Sequence, residues 1–197
     1  MAAGVNHDVR RQMVVAKALS LFAKMGYAKV SFLTISEATG IARTALYRYF
    51  KTKREIFDEA IHSVTSTLAT ELETISKKEL SVSRRIEQTC IAVMEAIHCN
   101  KEFFYAICDF VFSMVRTGEN MTSRIEMFTG GFRVVLQQLV AEGVKNGEIK
   151  GNVDPDSAAE ALFALMESFA FRVLLGTESD VRAARRRFRS TILALEA

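Results

Sequence analysis

Proline is nearly absent from this 197-residue chain, which contains a single one, and tryptophan is missing altogether. Glycine is modest in number, at ten residues, while hydrophobic residues make up 49% of the sequence. Because proline and glycine interrupt helices, their scarcity favours long helices joined by short connections. The composition therefore predicts an all-α protein, and the length suits one or two small domains.

Side chains that support catalysis are scarce as well. The chain has three histidines and no HExxH, GxSxG, P-loop or GxGxxG motif, so we expect no catalytic residue and no cofactor. Its cysteines are odd in number and form no CxxC pair, which predicts reduced thiols in a core and no metal site. They are nine residues apart, so neighbours should point to opposite faces of a helix. These three are Cys90, Cys99 and Cys108.

A long uncharged apolar run is also missing. The most hydrophobic segment, residues 159–176, contains Glu160, Glu167 and Arg172. Three charges argue against a membrane span. The first residues, MAAGVNHDVRRQ, contain no apolar stretch typical of a signal peptide. We therefore expect a soluble, cytoplasmic protein that does not enter a membrane.

Positive charge is concentrated at the N-terminus. Residues 1–54 contain ten lysines and arginines against two acids, a net charge of +8, whereas residues 55–197 carry a net charge of −5. A basic N-terminal quarter on an acidic remainder is typical of a module that binds a polyanion, attached to a neutral or acidic body.

Three short helices are predicted between residues 8 and 50. Gly26 ends the first, Ser31 caps the second, and Gly40 allows a tight turn before the third. Two short helices joined by such a turn, at about residues 31–50, predict a helix-turn-helix. In the first helix the apolar residues recur at helical spacing, and they are Val14, Ala18, Leu21, Phe22 and Met25. The cations of this helix are predicted to lie elsewhere around it, and they are Arg11, Lys17 and Lys24.

The third helix is predicted to have an exposed polar face. On a wheel of about 100° per residue, this face holds Arg43, Thr44, Tyr47 and Arg48, while Tyr49 falls toward the apolar side. Arginine can grip guanine O6 and N7 with two hydrogen bonds, and threonine can meet a thymine methyl group or a phosphate. Tyrosine can bind a phosphate. The face therefore predicts contacts in a DNA major groove.

The helix that follows begins with an unusual charge. Thr52 and Glu55 predict a capping box, yet Lys53 and Arg54 occupy the first helical positions, where the helix dipole repels cations. A broken local rule often marks a functional site. We expect these cations to pair with DNA phosphates, which would offset the repulsion. The alternative is a pair of solvated cations that the capping box compensates.

The rest of the chain predicts six further helices, about nine in total. The first runs from Thr52 to about Lys77, and the others span about residues 81–98, 101–115, 121–146, 155–175 and 179–195. The 155–175 helix is apolar nearly all round, so it needs cover on two sides. One side can pack on the core of its own chain and the other on a partner subunit. The alternative is that both sides pack within the core of one monomer.

Residues 10–57 resemble the DNA-binding domain of the TetR family of transcriptional regulators. The resemblance rests on AKALSLFAKMGY, SFLTISEATGI and ARTALYRYFKTKREIF, and it covers about 48 contiguous residues. Ser36 and Thr39 depart from the pattern, which usually has alanine there. The resemblance implies a DNA-binding domain at residues 1–52 and a helical effector-binding and dimerisation domain at residues 53–197. The implied DNA contacts are Ser31, Thr34, Arg43, Thr44, Tyr47, Arg48, Tyr49 and Lys53.

For the body, the resemblance implies a homodimer that pairs through the last two helices as a four-helix bundle. Two apolar seams support this independently. The expected interface is Leu162, Leu165, Phe169, Val173, Val181, Ala184, Phe188, Ile192 and Leu195. The run RAARRRFR at 182–189 is expected to be a solvated face, with Arg185 or Arg189 pairing across the dimer.

The resemblance also implies a pocket for a small apolar or amphipathic effector. The residues expected to line it are Val64, Leu68, Met94, His98, Phe104, Cys108, Phe128, Phe132, Phe163 and Glu167. The function implied is a repressor that binds a palindromic operator in double-stranded DNA and is released by the effector, with the 52–77 helix transmitting the change. The alternatives are an activator with the same DNA chemistry, a helical adaptor without DNA binding and, least favoured, an enzyme.

Overall fold

The computed structural model describes residues 2–177 and 180–197, and the side chains of these except residues 2–6, 123, 124, 127 and 128. Nine helices and no strand occur in these residues, with one isolated bridge between Ile149 and Glu196. The prediction of an all-α protein of about nine helices is therefore confirmed. The helices are α1 (Ala2–Met25), α2 (Phe32–Thr39), α3 (Arg43–Tyr49), α4 (Lys53–Ser76), α5 (Val82–Cys99), α6 (Lys101–Arg116), α7 (Thr122–Asn146), α8 (Pro155–Leu174) and α9 (Val181–Leu193).

The chain divides into two compact units. The head unit comprises the residues up to Thr65 together with Glu102–Met121, and the body unit comprises Ser66–Lys101 together with Thr122–Ala197. This division differs from the boundary predicted between residues 52 and 53, because the first half of α4 and nearly all of α6 group with the N-terminal helices. Helix α4 is continuous through the change of unit at residues 65 and 66.

The head unit is built around four aromatic rings. Phe22 of α1, Tyr27 of the following turn, Phe57 of α4 and Phe110 of α6 pack with ring centroids 4.5–5.4 Å apart. All four side chains are buried. Aromatic pairs of this kind contribute about 0.5–1.5 kcal/mol each beyond the area that they bury. The cluster therefore joins α1, α4 and α6 into one packed unit.

The body unit is a bundle of α5, α7, α8 and α9, in which α7 packs on α8 and α5 packs on α9. Its core includes the fully buried Leu136 of α7 and Leu162 of α8. The last residues leave the helix earlier than predicted, because the Lys150 N–H donates to the Leu195 carbonyl at 3.0 Å and the Ala197 N–H donates to the Glu148 carbonyl at 3.1 Å. This backbone pairing replaces the last turn of the predicted helix.

Ion pairs around one buried carboxylate link α5 and α9 of the bundle. Glu87 of α5 has a side chain only 6% exposed, and it pairs with Arg84 at 3.0 Å, Arg185 at 3.1 Å and Arg189 at 3.8 Å. Arg185 and Arg189 of α9 therefore pair within their own chain, which corrects the expectation of a contact across a dimer. A buried carboxylate without these partners would be strongly destabilising.

The cysteines partly follow the prediction. Cys90 is buried and Cys99, nine residues later on α5, is exposed, as the helical spacing indicated. Burial raises the pKa of the Cys90 thiol to about 12, so this thiol stays protonated. The expectation that all three thiols lie in a core is wrong for Cys99. In the part of the chain described, no helix is long and apolar enough to cross a membrane.

Candidate nucleic-acid interface

Helices α2 and α3 are joined by a turn whose backbone is satisfied by two hydroxyl groups. Gly40 has φ +69°, a left-handed conformation that glycine adopts without strain. The Ser36 hydroxyl donates to the Ile41 carbonyl at 2.7 Å, and the Thr39 hydroxyl accepts from the Ile41 N–H at 3.3 Å. Ser36 and Thr39, the two departures from the pattern, therefore stabilise the tight turn of the helix-turn-helix.

A capping box fixes the start of α2. The Ser31 hydroxyl accepts from the Thr34 N–H at 3.2 Å, while the Ser31 N–H donates to the Thr34 hydroxyl at 3.4 Å. Ser31 is exposed and Thr34 is half-buried. The predicted cap at Ser31 is confirmed, and both hydroxyl groups have a structural role besides the DNA contacts expected of them.

The exposed face of α3 is the one that the helical wheel indicated. Arg43, Thr44, Tyr47 and Arg48 are all exposed, whereas Leu46 is completely buried. Among the described residues, none forms a hydrogen bond or an ion pair with the side chain of Arg43 or Arg48. Two guanidinium groups on a short helix are thus left without a protein anion, as a surface that receives an external anion requires.

Two tyrosines of α3 differ in their surroundings. The Tyr47 ring is 48% exposed and stacks on Phe32 of α2, with the ring centroids 4.5 Å apart and the planes 9° from parallel. This stacking limits the positions open to its phenol group. Tyr49 is half-buried, and its ring lies 4.6 Å from that of His7. Tyr47 is therefore presented outward, and the ring of Tyr49 packs toward α1.

The cations at the start of α4 have partners that the sequence did not reveal. Lys53 Nζ donates to the Tyr27 carbonyl at 2.7 Å and lies 4.3 Å from the centroid of the Tyr27 ring. Burial lowers the pKa of this ammonium group. Arg54 lies 4.4 Å above the Phe110 ring and 3.4 Å from Asp58. These contacts explain why two cations are tolerated at a helix N-terminus even without DNA.

The capping box expected at the same place is only half formed. The Thr52 hydroxyl accepts from the Glu55 N–H at 3.1 Å, as predicted. The Glu55 carboxylate, however, accepts from the N–H of Lys51 at 2.8 Å rather than from that of Thr52. The reciprocal bond thus goes to the residue before the cap, and the N-terminus of α4 is still satisfied by two side chains.

Arg11 is a residue of the site that sequence reasoning missed. Its Nε donates to Glu59 of α4 at 2.8 and 3.0 Å, and its Nη1 donates to the Tyr49 carbonyl at the end of α3 at 2.8 Å. The guanidinium carbon lies 4.4 Å from the Phe50 ring centroid. A cation at a helix C-terminus is favoured by the helix dipole. Arg11 of α1 therefore fastens α3, the predicted recognition helix of the helix-turn-helix, to α4.

A signal for Arg11 was present in the sequence. Arg11 lies four, seven and eleven residues before Val15, Ala18 and Phe22, so it shares their face of α1. All three of those side chains are buried. The expectation that Arg11 lies elsewhere around the helix is wrong, and an arginine on an apolar stripe indicates a partly buried polar contact.

Two family models match this chain. Residues 14–60 match the model of bacterial regulatory proteins of the tetR family, and residues 110–188 match the model of the tetracyclin repressor-like C-terminal domain. The two matches together span more than half of the chain. This protein belongs to the TetR family. It is therefore a DNA-binding transcriptional regulator and not an enzyme, as the sequence predicted.

Individual proteins agree with this membership. The chain is 24% identical over 178 residues to the transcriptional regulator TtgR of Pseudomonas putida, covering 86% of this chain and 82% of TtgR. A TetR regulator from Chloroflexus aurantiacus superposes with a TM-score of 0.76 at 23% identity, covering 100% and 98% of the two chains. FadR of Bacillus subtilis, solved in complex with stearoyl-CoA, superposes with a TM-score of 0.76 at 16% identity, covering 93% and 97%. These two structures share the TetR fold.

The residues expected to line an effector pocket in this TetR protein are distributed over both units. Val64, Phe104 and Cys108 belong to the head unit; Leu68, Met94, His98, Phe132, Phe163 and Glu167 belong to the body unit. The side chain of Phe128 lies outside the described residues. The rings of Phe132 and Phe163 meet, with centroids 6.1 Å apart. His98 and Glu167 are exposed, whereas Met94 is fully buried.

One of these ten residues, Val64, lines a groove in the head unit. It has a volume of about 1020 Å³ and lies between α1 and α4, with Val15, Ala16 and Leu19 on one side and Ala60 and Val64 on the other. In the described part of the chain, no group of three or more His, Cys, Asp and Glu side chains is arranged to hold a metal ion.

Most residues of the two predicted dimer seams lie in the interior of the single chain. Six of the nine residues are buried within one chain, so they have no surface left for a partner: Leu162, Phe169, Val173, Ala184, Phe188 and Ile192. Leu165 and Val181 are half-buried, and Leu195 lies beyond the end of α9. These six residues form part of the monomer core, which corrects their assignment to a dimer interface, whereas the assignment of Leu165, Val181 and Leu195 stays a prediction.

The role of Arg11 can be tested by replacement. We expect Arg11→Met to lower the free energy of unfolding by about 1–2 kcal/mol, because the Tyr49 carbonyl loses a donor and Glu59 loses its partner. Urea unfolding followed by circular dichroism measures this. Arg10→Met is the matched control, because Arg10 is exposed and its loss should change stability by no more than about 0.5 kcal/mol. Equal losses in both variants would contradict the role assigned to Arg11.

Proposed function

We propose that this TetR protein is a repressor that binds a palindromic operator as a homodimer in the cytoplasm and is released by a small-molecule effector. The observation that carries the proposal is the outward face of α3, where Arg43 and Arg48 are exposed without a protein anion among the described residues. Phosphate oxygens and guanine edges supply the missing acceptors. Release of counterions from DNA then adds to the affinity and makes it depend on salt.

Each residue of the face is assigned a contact by its chemistry. Arg43 at the start of α3 reads a guanine through O6 and N7, and Thr44 beside it meets a thymine methyl group or a phosphate. Tyr47, held by its stacking on Phe32, and Arg48 bind backbone phosphates.

The contacts flanking α3 position the helix along the DNA backbone. Ser31 and Thr34 at the start of α2 offer hydroxyl groups to a phosphate, and the Tyr49 hydroxyl does the same at the end of α3. The ammonium group of Lys53 can donate three hydrogen bonds. It reaches the Tyr27 carbonyl at 2.7 Å and the Ala28 carbonyl at 3.4 Å, so one N–H remains for a phosphate.

The DNA contact is tested by selecting duplexes from a random pool and titrating the winner by fluorescence anisotropy. We expect a palindromic winner, because two recognition helices about 34–36 Å apart read two half-sites. Arg43→Ala should weaken specific binding about 5- to 150-fold, the range for one lost bidentate base contact. Lys145→Ala, which removes an exposed cation of α7, is the control and should bind normally. Enrichment of no sequence at all would contradict operator binding.

The outward face of α8 is the surface proposed for the homodimer. Phe171 and Leu175 are 60% and 61% exposed in the single chain, and large exposed apolar side chains in one stripe are typical of an interface. Small side chains on the same face allow a second helix to approach closely. The stripe consists of Ala161, Ala164, Ser168 and Phe171 of α8 and of Leu175, the residue that follows the helix, all exposed.

A charge placed on this stripe should separate the subunits. We expect Phe171→Glu to convert a dimer into a monomer, because an unpaired carboxylate buried in an apolar interface is strongly unfavourable. Sedimentation velocity measures the change. Val134→Glu on α7 is the control, since Val134 is also apolar and 47% exposed. If Val134→Glu dissociates the protein and Phe171→Glu does not, the interface lies elsewhere.

An apolar or amphipathic effector is proposed for the release step. The fold is shared with FadR of Bacillus subtilis, whose structure contains stearoyl-CoA, and this chain has exposed and buried phenylalanines in its body unit. Helix α4 has residues in both units, so a shift of its C-terminal half is transmitted to its N-terminal half. An effector that prefers a head spacing unsuited to the operator must lower DNA affinity, because linkage is reciprocal.

Acyl-CoA compounds of increasing chain length provide the first test of release. We expect a long-chain acyl-CoA to weaken operator binding about 5- to 150-fold, the usual range of allosteric coupling, while CoA without an acyl chain has no effect. Anisotropy of the labelled operator gives the affinity, and a thermal shift shows whether each compound binds. Compounds that bind without altering operator affinity would contradict release by this class of effector.

A further inference from the structure

Helix α6 is fastened to the turn that follows α1 by a single carboxylate. Asp109 Oδ2 accepts a hydrogen bond from the Tyr27 N–H at 2.7 Å. The next residue of α6, Phe110, packs its ring against those of Tyr27 and Phe57, with centroids 4.7 and 4.5 Å away. All of these residues lie in the head unit. The packing is apolar and non-directional, whereas the carboxylate bond has one defined partner.

The N–H that Asp109 accepts follows directly on the end of α1. Gly26, at φ +82°, donates its N–H to the Phe22 carbonyl at 3.0 Å and so completes the helix cap. The Tyr27 N–H comes next and receives its acceptor from α6. A Cβ on Gly26 would lie 3.2 Å from Asp109 Oδ2. Glycine is therefore suited to this position both by its backbone conformation and by the close approach of the carboxylate.

The carbonyl of the same residue is held by a different helix. Lys53, the first residue of α4, donates its Nζ to the Tyr27 carbonyl at 2.7 Å. Tyr27 is thus bound through its N–H to α6 and through its carbonyl to α4. The chain from Tyr27 leads within four residues to Ser31, the cap of α2, and α2 packs on α3. A residue that two helices hold at once thus lies four positions before the cap of α2.

We propose that Asp109 is a positioning residue: by holding the Tyr27 N–H four residues before the cap of α2, it keeps the recognition helix in the orientation that operator binding needs. The proposal rests on the proposed function and deepens it by naming a residue that positions the DNA-binding site. Both the Asp109 bond and the Lys53 bond end on Tyr27, so loss of either one frees one side of the turn that leads to α2. We therefore expect operator binding to need both bonds, and loss of either bond should lower operator affinity.

The test compares three variants of the full-length chain. Asp109→Ala removes the acceptor, Asp109→Asn keeps an acceptor oxygen in the same place, and Glu102→Ala removes an exposed carboxylate elsewhere on α6. For each, affinity is measured for the selected operator and for a scrambled duplex, and hydrogen exchange is measured at the Tyr27 amide. Urea unfolding is recorded in parallel to show that each variant is folded.

We expect Asp109→Ala to exchange the Tyr27 amide faster and to bind the operator about 2- to 30-fold more weakly, the range for residues that carry coupling. Binding to the scrambled duplex should be unchanged, because phosphate contacts do not need the recognition helix in one orientation. Asp109→Asn should restore most of the operator affinity, and Glu102→Ala should behave as the unmodified chain does. A purely structural role would lower both affinities together and would leave the specificity ratio intact.

Three results would overturn the inference. One is unchanged exchange at Tyr27 in Asp109→Ala, which means that the bond is not made. Another is faster exchange with normal operator affinity, which means that the bond does not position the helix. The third applies if Asp109→Ala does not fold. In that case, loss of the specificity ratio in both Asp109→Asn and Glu102→Ala would show that the ratio does not depend on the bond that Asp109 makes. Failure of the unmodified chain to bind any operator would instead refute the proposed function.

Discussion

The packing of four aromatic rings holds the DNA-reading part of this protein in one piece. Phe22, Tyr27, Phe57 and Phe110 come from α1, the turn after it, α4 and α6, and each ring touches at least two of the others. Burial of such rings is the main favourable contribution in a small unit. The directional bonds of Asp109 and Lys53 to Tyr27 are possible because this packing brings α6 and α4 beside the same turn.

Electrostatics divides the basic residues of the N-terminal quarter into two groups. Arg11, Lys53 and Arg54 are partly buried and bind carbonyls, carboxylates or rings of the head unit. Arg43 and Arg48 are exposed on α3. The first group holds the recognition helix in place, and the second is available to an external polyanion. The high positive charge of this segment thus has a structural origin as well as a functional one.

Much of the fold was predictable because it depends on local rules. Ser31 and Gly40 act as the cap and the turn that their positions indicated, and the helical wheel separated Leu46 from the exposed side chains of α3. The sequence identified the apolar seams of α8 and α9, but it did not identify which helices pack on them. Helical periodicity identifies an apolar face but does not say what packs on it, so Leu162 and Phe169 were assigned to a partner although they fill the monomer core.

The sequence by itself determined the helices, the helix-turn-helix, the exposed face of α3 and the family, because each depends on neighbours within a few residues or on a contiguous motif. Tertiary structure alone decided that α6 belongs with the head unit, that Arg11 holds the end of α3, and that Tyr27 is shared between Lys53 and Asp109. These contacts join residues 26 to 82 positions apart. Such pairs leave no periodic trace, since their partners are chosen by how whole helices pack.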